Sequence, residues 1–250
     1  MEVKILGIPF VSDSVEALVD RSLKGGLVVV PSGPGLAVDL RNNPDYRTAV
    51  TTADLALTDS GAMVLLWKLF RGKSIKRVSG LRFLKHLLVK KALTEAGATF
   101  WVHPNQDQQK LNYNWLKEQG FNIPDKSNYV APMYPQRDIE DHALWEALKT
   151  EKPKAIVLCI GGGVQERLGW WLREQYRAAG RSCPAIICTG AAIGFLSGNQ
   201  VNVPNWADKL FLTWLVRCVS DPKTFVPRYW SALPLVWMIL KYGECCPQQS

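Results

Sequence analysis

Glycine and small polar residues cluster at four points along the chain, each directly after an apolar run that predicts a β-strand. Glycines there let the backbone approach a ligand closely and direct amide groups toward phosphate oxygens. Glycine is also ordinary turn chemistry, so each loop alone is weak evidence. Together the four loops predict a site for a nucleotide-type ligand. They are Pro31-Ser32-Gly33, Thr58-Asp59-Ser60-Gly61, Gly161-Gly162-Gly163 and Thr189-Gly190.

Asp59 is the carboxylate best placed for acid–base chemistry, because it follows the predicted strand Asp54–Thr58 and precedes Ser60-Gly61. A carboxylate at the end of a strand can accept the proton of an attacking hydroxyl group. It can equally serve as the N-cap of the helix that follows, a position that aspartate favours. Position alone leaves both interpretations open.

Several common site signatures are missing from the sequence. No G-x-G-x-x-G follows the first strand, and there is no Walker A sequence, which disfavours a dinucleotide dehydrogenase and a P-loop NTPase. No Asp-x-Asp pair occurs, and His86, His103 and His142 lack metal-ligand spacing, so no metal site is predicted. His103 ends a strand, and we expect a solvated loop histidine there. The absence of a G-x-S-x-G elbow disfavours an α/β-hydrolase.

Short β-branched runs alternate with helical patterns through the first 198 residues. Continuous apolar strands separated by helices indicate a parallel sheet covered on both faces. We therefore predict an α/β fold with a Rossmann-like parallel sheet flanked by helices and a C-terminal helical appendage. The predicted strands are Val3–Ile8, Gly26–Val30, Asp54–Thr58, Thr99–His103, Asn128–Ala131, Ala155–Ile160 and Ala185–Thr189. The predicted helices are Ser14–Lys24, Leu36–Asn42, Ala62–Phe70, Phe83–Ala96, Gln106–Gln119, Ile139–Thr150 and Gln165–Ala179.

Residues 199–250 form the predicted appendage, which differs in composition from the domain of residues 1–198. Tryptophans and basic residues are interleaved there, a mixture typical of helices at a membrane interface. The alternative is a helical cap packed on the sheet. Pro204, Pro222, Pro227 and Pro234 are expected to divide the segment into short helices. The tryptophans are Trp206, Trp214, Trp230 and Trp237, and the basic residues are Lys209, Arg217, Lys223, Arg228 and Lys241.

Bulk composition describes a globular protein whose positive charge suits an anionic partner, while composition alone leaves open that the charge serves only solubility. The 250 residues are 47% hydrophobic and carry a net charge of +8, which suits a phosphate-bearing substrate, an anionic membrane or nucleic acid. Nucleic acid is the least favoured of these, because the basic residues are scattered except in the helix Lys85–Lys91. No C-x-x-C pair, signal peptide or apolar run of about 20 residues occurs, so we expect a cytoplasmic protein.

The order of motifs resembles that of the WecG/TagA/CpsF glycosyltransferases over nearly the whole length. One such block would mean little, whereas the full ordered set is specific. The matching blocks are Leu6-Gly7-Ile8-Pro9, the segment from Ala53 to Gly61, Arg77-Val78-Ser79-Gly80, the segment from Gly161 to Glu166, the segment from Gly190 to Gly198, Pro204-Asn205-Trp206, the segment from Leu212 to Arg217, and Pro222 with Arg228-Tyr229.

The resemblance implies an inverting, metal-independent transfer of N-acetylmannosamine or a related hexose from a UDP-sugar to a polyprenyl-diphosphate-linked sugar, without a cofactor. It implies that Asp59 is the base, that Gln165 contacts substrate, and that Arg217 and Arg228 close over the diphosphate. It also implies a peripheral position at the inner face of the cell membrane. The expected substrate-binding residues are Ser32, Gly33, Thr58, Gly61, Arg77, Ser79, Gly80, Gly161, Gly162, Gly163, Glu166, Thr189 and Gly190.

The sequence also departs from the family pattern at places expected to face the ligand. They are Pro31, Gly33, Arg82, Ile193-Gly194 and Asn202. These departures allow a changed donor or acceptor, or a catalytically inactive sugar-nucleotide or lipid-diphosphate binding homologue. Retention of Asp59, Gln165, Glu166, Arg217 and Arg228 favours an active enzyme. The oligomeric state stays open, with a homo-oligomer among the options.

Overall fold

A computed structural model describes residues 1–198 and 213–248. Within them an eight-stranded sheet has the strand order β1-β2-β4-β3-β8-β7-β5-β6, in which every neighbouring pair except β1 and β2 is parallel. The predicted Rossmann-like α/β fold is therefore confirmed. The strands are β1 Glu2–Ile5, β2 Ile8–Val11, β3 Gly26–Val29, β4 Leu55–Ala56, β5 Thr99–His103, β6 Asn128–Val130, β7 Ala155–Leu158 and β8 Ala185–Cys188.

Helices cover both faces of this sheet. Leu27 and Val29 of β3 join one core cluster with α3, α4, α7, α8 and α11, while Val28 joins a second cluster with α1, α5 and α6. Successive side chains of a strand point to opposite faces of the sheet, so each face is covered by helices and buried from solvent. The helices are α1 Val15–Ser22, α2 Leu40–Asn42, α3 Pro44–Thr51, α4 Gly61–Arg71, α5 Gly80–Leu88, α6 Gln106–Glu118, α7 His142–Glu151, α8 Val164–Ala178, α9 Thr213–Ser220, α10 Pro222–Trp230 and α11 Pro234–Tyr242.

The single strand predicted for Val3–Ile8 is wrong, because the chain turns back within it. β1 and β2 are antiparallel and Ile5 faces Ile8, which leaves Leu6 and Gly7 as a two-residue turn. Both turn residues have positive φ, 51° and 83°, as a type I′ hairpin turn requires. The apolar run hid the turn from the sequence pattern. Leu6 and Gly7 donate backbone hydrogen bonds to the Gly243 and Glu244 carbonyls, which explains how a buried turn is satisfied.

Two further helix predictions needed correction. The helix predicted for Phe83–Ala96 ends at Leu88 and is followed by a separate 3₁₀ turn, Lys91–Leu93. The predicted helix Leu36–Asn42 is a π-helical turn, Gly35–Asp39, that continues into α2. Helix α3 was not predicted, although Asn43 accepts a capping hydrogen bond from the Tyr46 amide and Pro44 occupies the first turn.

The three described C-terminal helices differ in how deeply they are packed. Pro222 and Pro234 begin α10 and α11 as expected, but Pro227 lies inside α10 and does not end it. None of the side chains of α10 is buried. Helix α11 buries Leu235, Met238 and Ile239 in the same core cluster as the sheet. The division at residue 198 therefore stays a prediction, because α11 contributes to the core of the domain before it.

The described helices have at most 15 residues, whereas a helix that spans a bilayer needs about 20. None of those within residues 1–198 and 213–248 is long and apolar enough to cross a membrane.

Candidate functional site

A cavity of about 280 Å³ opens at the carboxyl edge of the parallel strands. The chain proceeds from β3 outward to β4 on one side, whereas β8 and β7 continue the sheet on the other. This change of direction between β3 and β8 creates a crevice, the place where open α/β sheets bind ligands. The loops that follow β3, β4, β7 and β8 form one side of the cavity, which we call the strand-edge wall.

The opposite side, which we call the helical wall, consists of side chains from α9 and α10 together with Ala232. All expected site residues except Thr58 and Gly163 line the cavity. From the strand-edge wall these are Ser32, Gly33, Asp59, Gly61, Arg77, Ser79, Gly80, Gly161, Gly162, Gln165, Glu166, Thr189 and Gly190, and from the helical wall Arg217 and Arg228.

Thr58 and Gly163 support the wall without lining it. The Thr58 hydroxyl donates to the Lys76 carbonyl at 2.6 Å and accepts from the Val78 amide at 3.2 Å, so its hydrogen-bonding capacity is used within the protein. Gly163 adopts a φ of +88°, and a methyl group there would lie 2.9 Å from an Asp39 carboxylate oxygen. Only glycine fits this position without strain. Direct substrate contact, expected for both residues, has no support in the geometry.

Asp59 is not the N-cap of the helix that follows it. That role belongs to Ser60, whose hydroxyl accepts from the Met63 amide at the start of α4. The Asp59 carboxylate instead accepts from the Gly80 amide at 2.9 Å, in the first turn of α5, which is a tertiary contact. The Arg77 guanidinium donates from Nε to the Asp59 carbonyl at 2.8 Å. Asp59 is thus half-buried and oriented at the cavity, so the local-cap interpretation is wrong.

Three helices begin at this edge of the sheet. Gly61 and Gly80 are the first residues of α4 and α5 and both line the cavity, and α8 begins at Val164, directly after the Gly161–Gly163 loop. A methyl group at Gly80 would lie 3.1 Å from Val30 Cγ1, so a larger residue would crowd this wall. Helix N-termini present unpaired amides and a partial positive charge. The strand-edge wall is therefore suited to an anionic ligand such as a diphosphate.

Gln165 and Glu166 connect two of the glycine loops at the floor of the cavity. The Gln165 carboxamide accepts from the Gly190 amide at 2.6 Å and donates to Glu166 Oε1 at 3.0 Å. Glu166 Oε2 accepts from the Gly163 amide at 2.7 Å. Burial raises the pKa of Glu166 to about 7 against the lowering effect of these hydrogen bonds. Both side chains are almost fully buried.

Thr189 has a buried hydroxyl group at the strand-edge wall. Its Oγ1 is buried and has no hydrogen-bond partner among residues 1–198 and 213–248, and the residue lines the cavity. Buried polar atoms in folded proteins are nearly always paired. A ligand oxygen seated against this wall would satisfy it.

The helical wall is held by aromatic and cationic contacts. The Arg217 guanidinium lies 4.6 Å from the centroid of the Phe195 ring and 5.2 Å from that of Phe225, so it joins α9 both to the strand-edge wall and to α10. Phe225 in turn stacks on Tyr229. Arg228 reaches across the cavity, since a methyl group at Gly162 would lie 3.7 Å from its Nη2.

Sequence reasoning missed the aromatic part of the site. Phe195, Trp214, Phe225 and Tyr229 line the cavity. All but Phe225 lie within the matching family blocks, but none of the four was expected to be a site residue. Four departures from the family pattern lie within the described residues. Of these only Gly33 lines the cavity, whereas Pro31, Arg82 and Gly194 do not. Asn202 lies outside the described residues.

His103 is neither solvated nor in the cavity. It is fully buried, its Nε2 lies 3.2 Å from Asn128 Oδ1, and its Nδ1 lies 3.3 Å from Asn112 Nδ2. Burial lowers its pKa to about 4, so the ring is neutral at physiological pH. Among residues 1–198 and 213–248, no group of three or more His, Cys, Asp or Glu side chains could hold a metal ion.

A second cavity, of about 580 Å³, lies at the opposite, amino-terminal edge of the strands. Leu23, Gly25, Leu148, Cys183 and Pro184 contribute to its lining. No carboxylate is among the described residues that line it, so it lacks the acid–base groups found at the first cavity. The site chemistry is therefore concentrated at the carboxyl edge.

Comparison with known proteins agrees with this geometry. Residues 3–245 match the model of a family described as "Glycosyl transferase WecG/TagA/CpsF family". The chain is also similar to an N-acetylglucosaminyldiphosphoundecaprenol N-acetyl-beta-D-mannosaminyltransferase of Bacillus spizizenii (strain ATCC 23059 / NRRL B-14472 / W23). The two are 21% identical over 235 residues, which cover 90% of this chain and 84% of the relative.

Proposed function

Because the chain belongs to the WecG/TagA/CpsF family of glycosyltransferases, we propose that it moves a sugar from a UDP-sugar to a polyprenyl-diphosphate-linked acceptor, with inversion and without a metal. The observation that carries this proposal is the meeting of Asp59, Gln165, Arg217 and Arg228 around one cavity, although they lie far apart in the chain. The name of the Bacillus relative supports a lipid-diphosphate-linked N-acetylglucosamine as acceptor and N-acetylmannosamine as the transferred sugar.

In the proposed reaction, the acceptor hydroxyl oxygen forms a bond to the anomeric carbon as the bond from that carbon to the UDP oxygen breaks. The hydroxyl proton passes to the Asp59 carboxylate, and UDP leaves with the bonding electron pair. Attack opposite the leaving group inverts the anomeric carbon. The contact between Asp59 and the first turn of α5 fixes the carboxylate, which keeps the base in position before substrate arrives.

The departing UDP carries one more negative charge than it did in the UDP-sugar, and cations and amide dipoles that face it stabilise this charge. Arg217 and Arg228 on the helical wall supply the cations, and the N-termini of α4, α5 and α8 supply oriented amides. Such preorganised groups stabilise charge that develops in the transition state. The same set of groups could serve in place of a bridging metal ion.

A membrane-associated setting fits the proposed lipid-linked acceptor. Helices α9 to α11 expose Trp214, Trp230 and Trp237, with Trp230 at 72% exposure, and they carry basic residues. Trp side chains favour the interface, and basic residues are attracted to anionic lipids. We therefore propose peripheral binding at the inner face of the cell membrane. Cosedimentation with anionic vesicles should weaken as salt rises, and equal binding to neutral vesicles at high salt would contradict it.

The activity is tested with a panel of UDP-sugars and a short-chain polyprenyl-diphosphate N-acetylglucosamine acceptor, scored for UDP release. We expect release that depends on acceptor, persists in EDTA and yields a product with the opposite anomeric configuration by NMR. Donor binding without any UDP release would identify a catalytically inactive binding homologue instead. Loss of activity in EDTA that Mg²⁺ restores would refute the metal-independent step alone.

A further inference from the structure

We propose that Glu166 is a positioning residue that sets the geometry of two glycine loops through Gln165, rather than a residue that contacts substrate. Its side chain is 1% exposed, and each carboxylate oxygen already has a protein donor. Oε2 accepts from the Gly163 amide at 2.7 Å, and Oε1 accepts from Gln165 Nε2 at 3.0 Å. The part of this inference that concerns turnover rests on the proposed function.

The connection continues from Gln165 to the neighbouring strand. Gln165 Oε1 accepts from the Gly190 amide at 2.6 Å, and Gly190 has a φ of +56° that favours glycine. Strands β7 and β8 pair in register, with Leu158 opposite Cys188, so the loops that follow them emerge side by side. Glu166 and Gln165 thus tie the Gly161–Gly163 loop to the start of the Thr189-Gly190 loop.

A carboxylate at position 166 also decides which way the Gln165 carboxamide points. Glu166 accepts hydrogen bonds only, so the Gln165 nitrogen must face it and the oxygen must face the Gly190 amide. Reversing the carboxamide would place its NH₂ group against an N–H donor and its oxygen against a carboxylate. The same orientation leaves Gln165 Nε2 with a second N–H besides the one that it donates to Glu166.

Glutamine at position 166 would not reproduce this arrangement. Both partners of Glu166, the Gly163 amide and Gln165 Nε2, are donors. A glutamine would present its own NH₂ group to one of them, so one of the two hydrogen bonds must be lost. Glu166→Gln therefore keeps size and removes the specified orientation, which makes it a sharp test.

The protonation state of Glu166 bears on the same geometry. Burial raises its pKa to about 7, the hydrogen bonds from Gln165 and Gly163 lower it, and the Asp39 carboxyl raises it. When the carboxyl group is protonated, one of its oxygens becomes an O–H donor and a weaker acceptor. The group then accepts less well from the two N–H groups. The charged and titratable groups that face Glu166 are Arg167 on its own helix, Asp39 in the π-helical turn, Tyr46 on α3 and Cys188 on β8.

The first experiment needs no activity. Protein labelled with ¹⁵N-glycine is titrated from pH 5 to 9, and the amide shifts of Gly163 and Gly190 are followed. We expect both amides to titrate with one shared midpoint near pH 7 in the wild type and to lose that titration in Glu166→Gln. A Gly190 amide whose chemical shift is the same in Glu166→Gln as in the wild type at every pH overturns the proposal.

The second experiment measures turnover in a double-mutant cycle of Glu166→Gln and Gln165→Ala. We expect Glu166→Gln to lower kcat on the order of 10- to 100-fold, the size expected for hydrogen bonds to a charged group. If Glu166 acts through Gln165, the double variant should be no slower than Gln165→Ala alone. If the kcat of the double variant falls by the product of the two single losses, Glu166 does not act through Gln165 and the proposal is overturned.

Glu174→Gln is the matched control, because Glu174 lies on the same helix, pairs with Arg177 and does not line the cavity. It should leave both the glycine shifts and kcat near wild type. If the wild type releases no UDP with any donor, the proposed function fails while the glycine titration still decides the positioning role. The two failures are therefore distinguishable.

Discussion

The strand-edge wall and the helical wall of the cavity are held in place by different kinds of contact. The strand-edge wall is fixed by short hydrogen bonds among buried groups, such as those that join Gly163, Glu166, Gln165 and Gly190. The helical wall is held by contacts of Arg217 with aromatic rings, and α10 has no buried side chain. Buried hydrogen-bond networks are stiff, whereas a half-buried cation–π contact contributes only about 1 kcal/mol.

A second contrast, within the C-terminal helices, explains how a weakly held wall stays near the sheet. Helix α11 packs Leu235, Met238 and Ile239 into the core, and Arg71 of α4 donates to the carbonyls of Ile239 and Leu240 at its C-terminus. Helix α10, directly before it, carries Arg228 and has no buried side chain. Within the described residues, α11 is therefore the C-terminal helix that is anchored in the core. The predictions below separate these roles.

The largest expected effect is on the strand-edge wall, at Asp59. Asp59→Asn keeps an oxygen that can accept from the Gly80 amide, but it removes the proton acceptor. Turnover should fall by about 10²- to 10⁴-fold, the usual contribution of a positioned general base. The thermal melt and UDP-sugar binding should stay near wild type.

Asp13→Asn, an exposed aspartate whose carboxylate accepts from the Ser14 amide, is the control and should turn over normally. Full turnover in Asp59→Asn would show that Asp59 is not the general base. The rigid hydrogen bonds of the strand-edge wall would then have no demonstrated role in catalysis.

The next effect concerns the anchor. Leu235 is 1% exposed and Leu240 on the same helix is 51% exposed, so the same substitution can be compared at two depths. Leu235→Ala should lower the free energy of unfolding by about 2–5 kcal/mol, while Leu240→Ala should change it by less than about 0.5 kcal/mol. Urea unfolding measures both. Equal, small losses would show that α11 does not anchor the segment.

A smaller effect is expected from the cation of the helical wall. Arg228→Gln removes the charge that faces Gly162 and should reduce kcat/KM by roughly 10- to 100-fold. Arg228→Lys should recover part of this, because lysine keeps the charge without the planar fork of arginine. Steady-state kinetics with a saturating acceptor report the change. Arg181→Gln, at the amino edge, serves as the control, and an equal loss there would indicate a general charge effect.

The smallest effect tests the contact that joins the two walls. Phe195→Leu removes the ring next to Arg217, a contact that contributes about 0.5–1 kcal/mol when exposed. The KM for UDP-sugar should rise by about 2- to 5-fold, with kcat nearly unchanged. Phe195→Tyr keeps a ring under the guanidinium and should restore the wild-type KM. A loss in Phe195→Tyr as large as that in Phe195→Leu would count against the cation–π contact.

The hydrophobic pattern of the sequence predicted the bounds of helices and strands well wherever a single regular element packs against the core along its whole length. The strand Thr99–His103 has the predicted bounds, and Gln106–Glu118 differs from the predicted helix by one residue. It failed where a turn is made of apolar residues, as at Leu6 and Gly7, because hydrophobic patterns do not report a positive φ. It also failed at Pro227, where the helix continues although proline usually ends one.

The sequence identified most of the residues that line the site, but it did not predict the contacts among them. Sequence motifs selected Asp59, Gln165, Arg217 and Arg228, and these residues do line one cavity. The aromatic neighbours Phe195 and Phe225 were not selected, although Phe195 lies in the matching block from Gly190 to Gly198. The Arg217 guanidinium lies close to both rings. The three residues come from three separate segments, so only the tertiary structure shows this contact.

The sequence by itself determined the fold class, the family and the glycine loops, because each of these depends on residue type and spacing along the chain. Tertiary structure alone decided that Asp59 interacts with α5 instead of capping α4, since the Gly80 amide is 21 residues away. It also decided that Glu166 lies at the floor of the cavity with both carboxylate oxygens paired. Hydrogen-bond partners across strands depend on sheet order, and local propensity carries no information about that order.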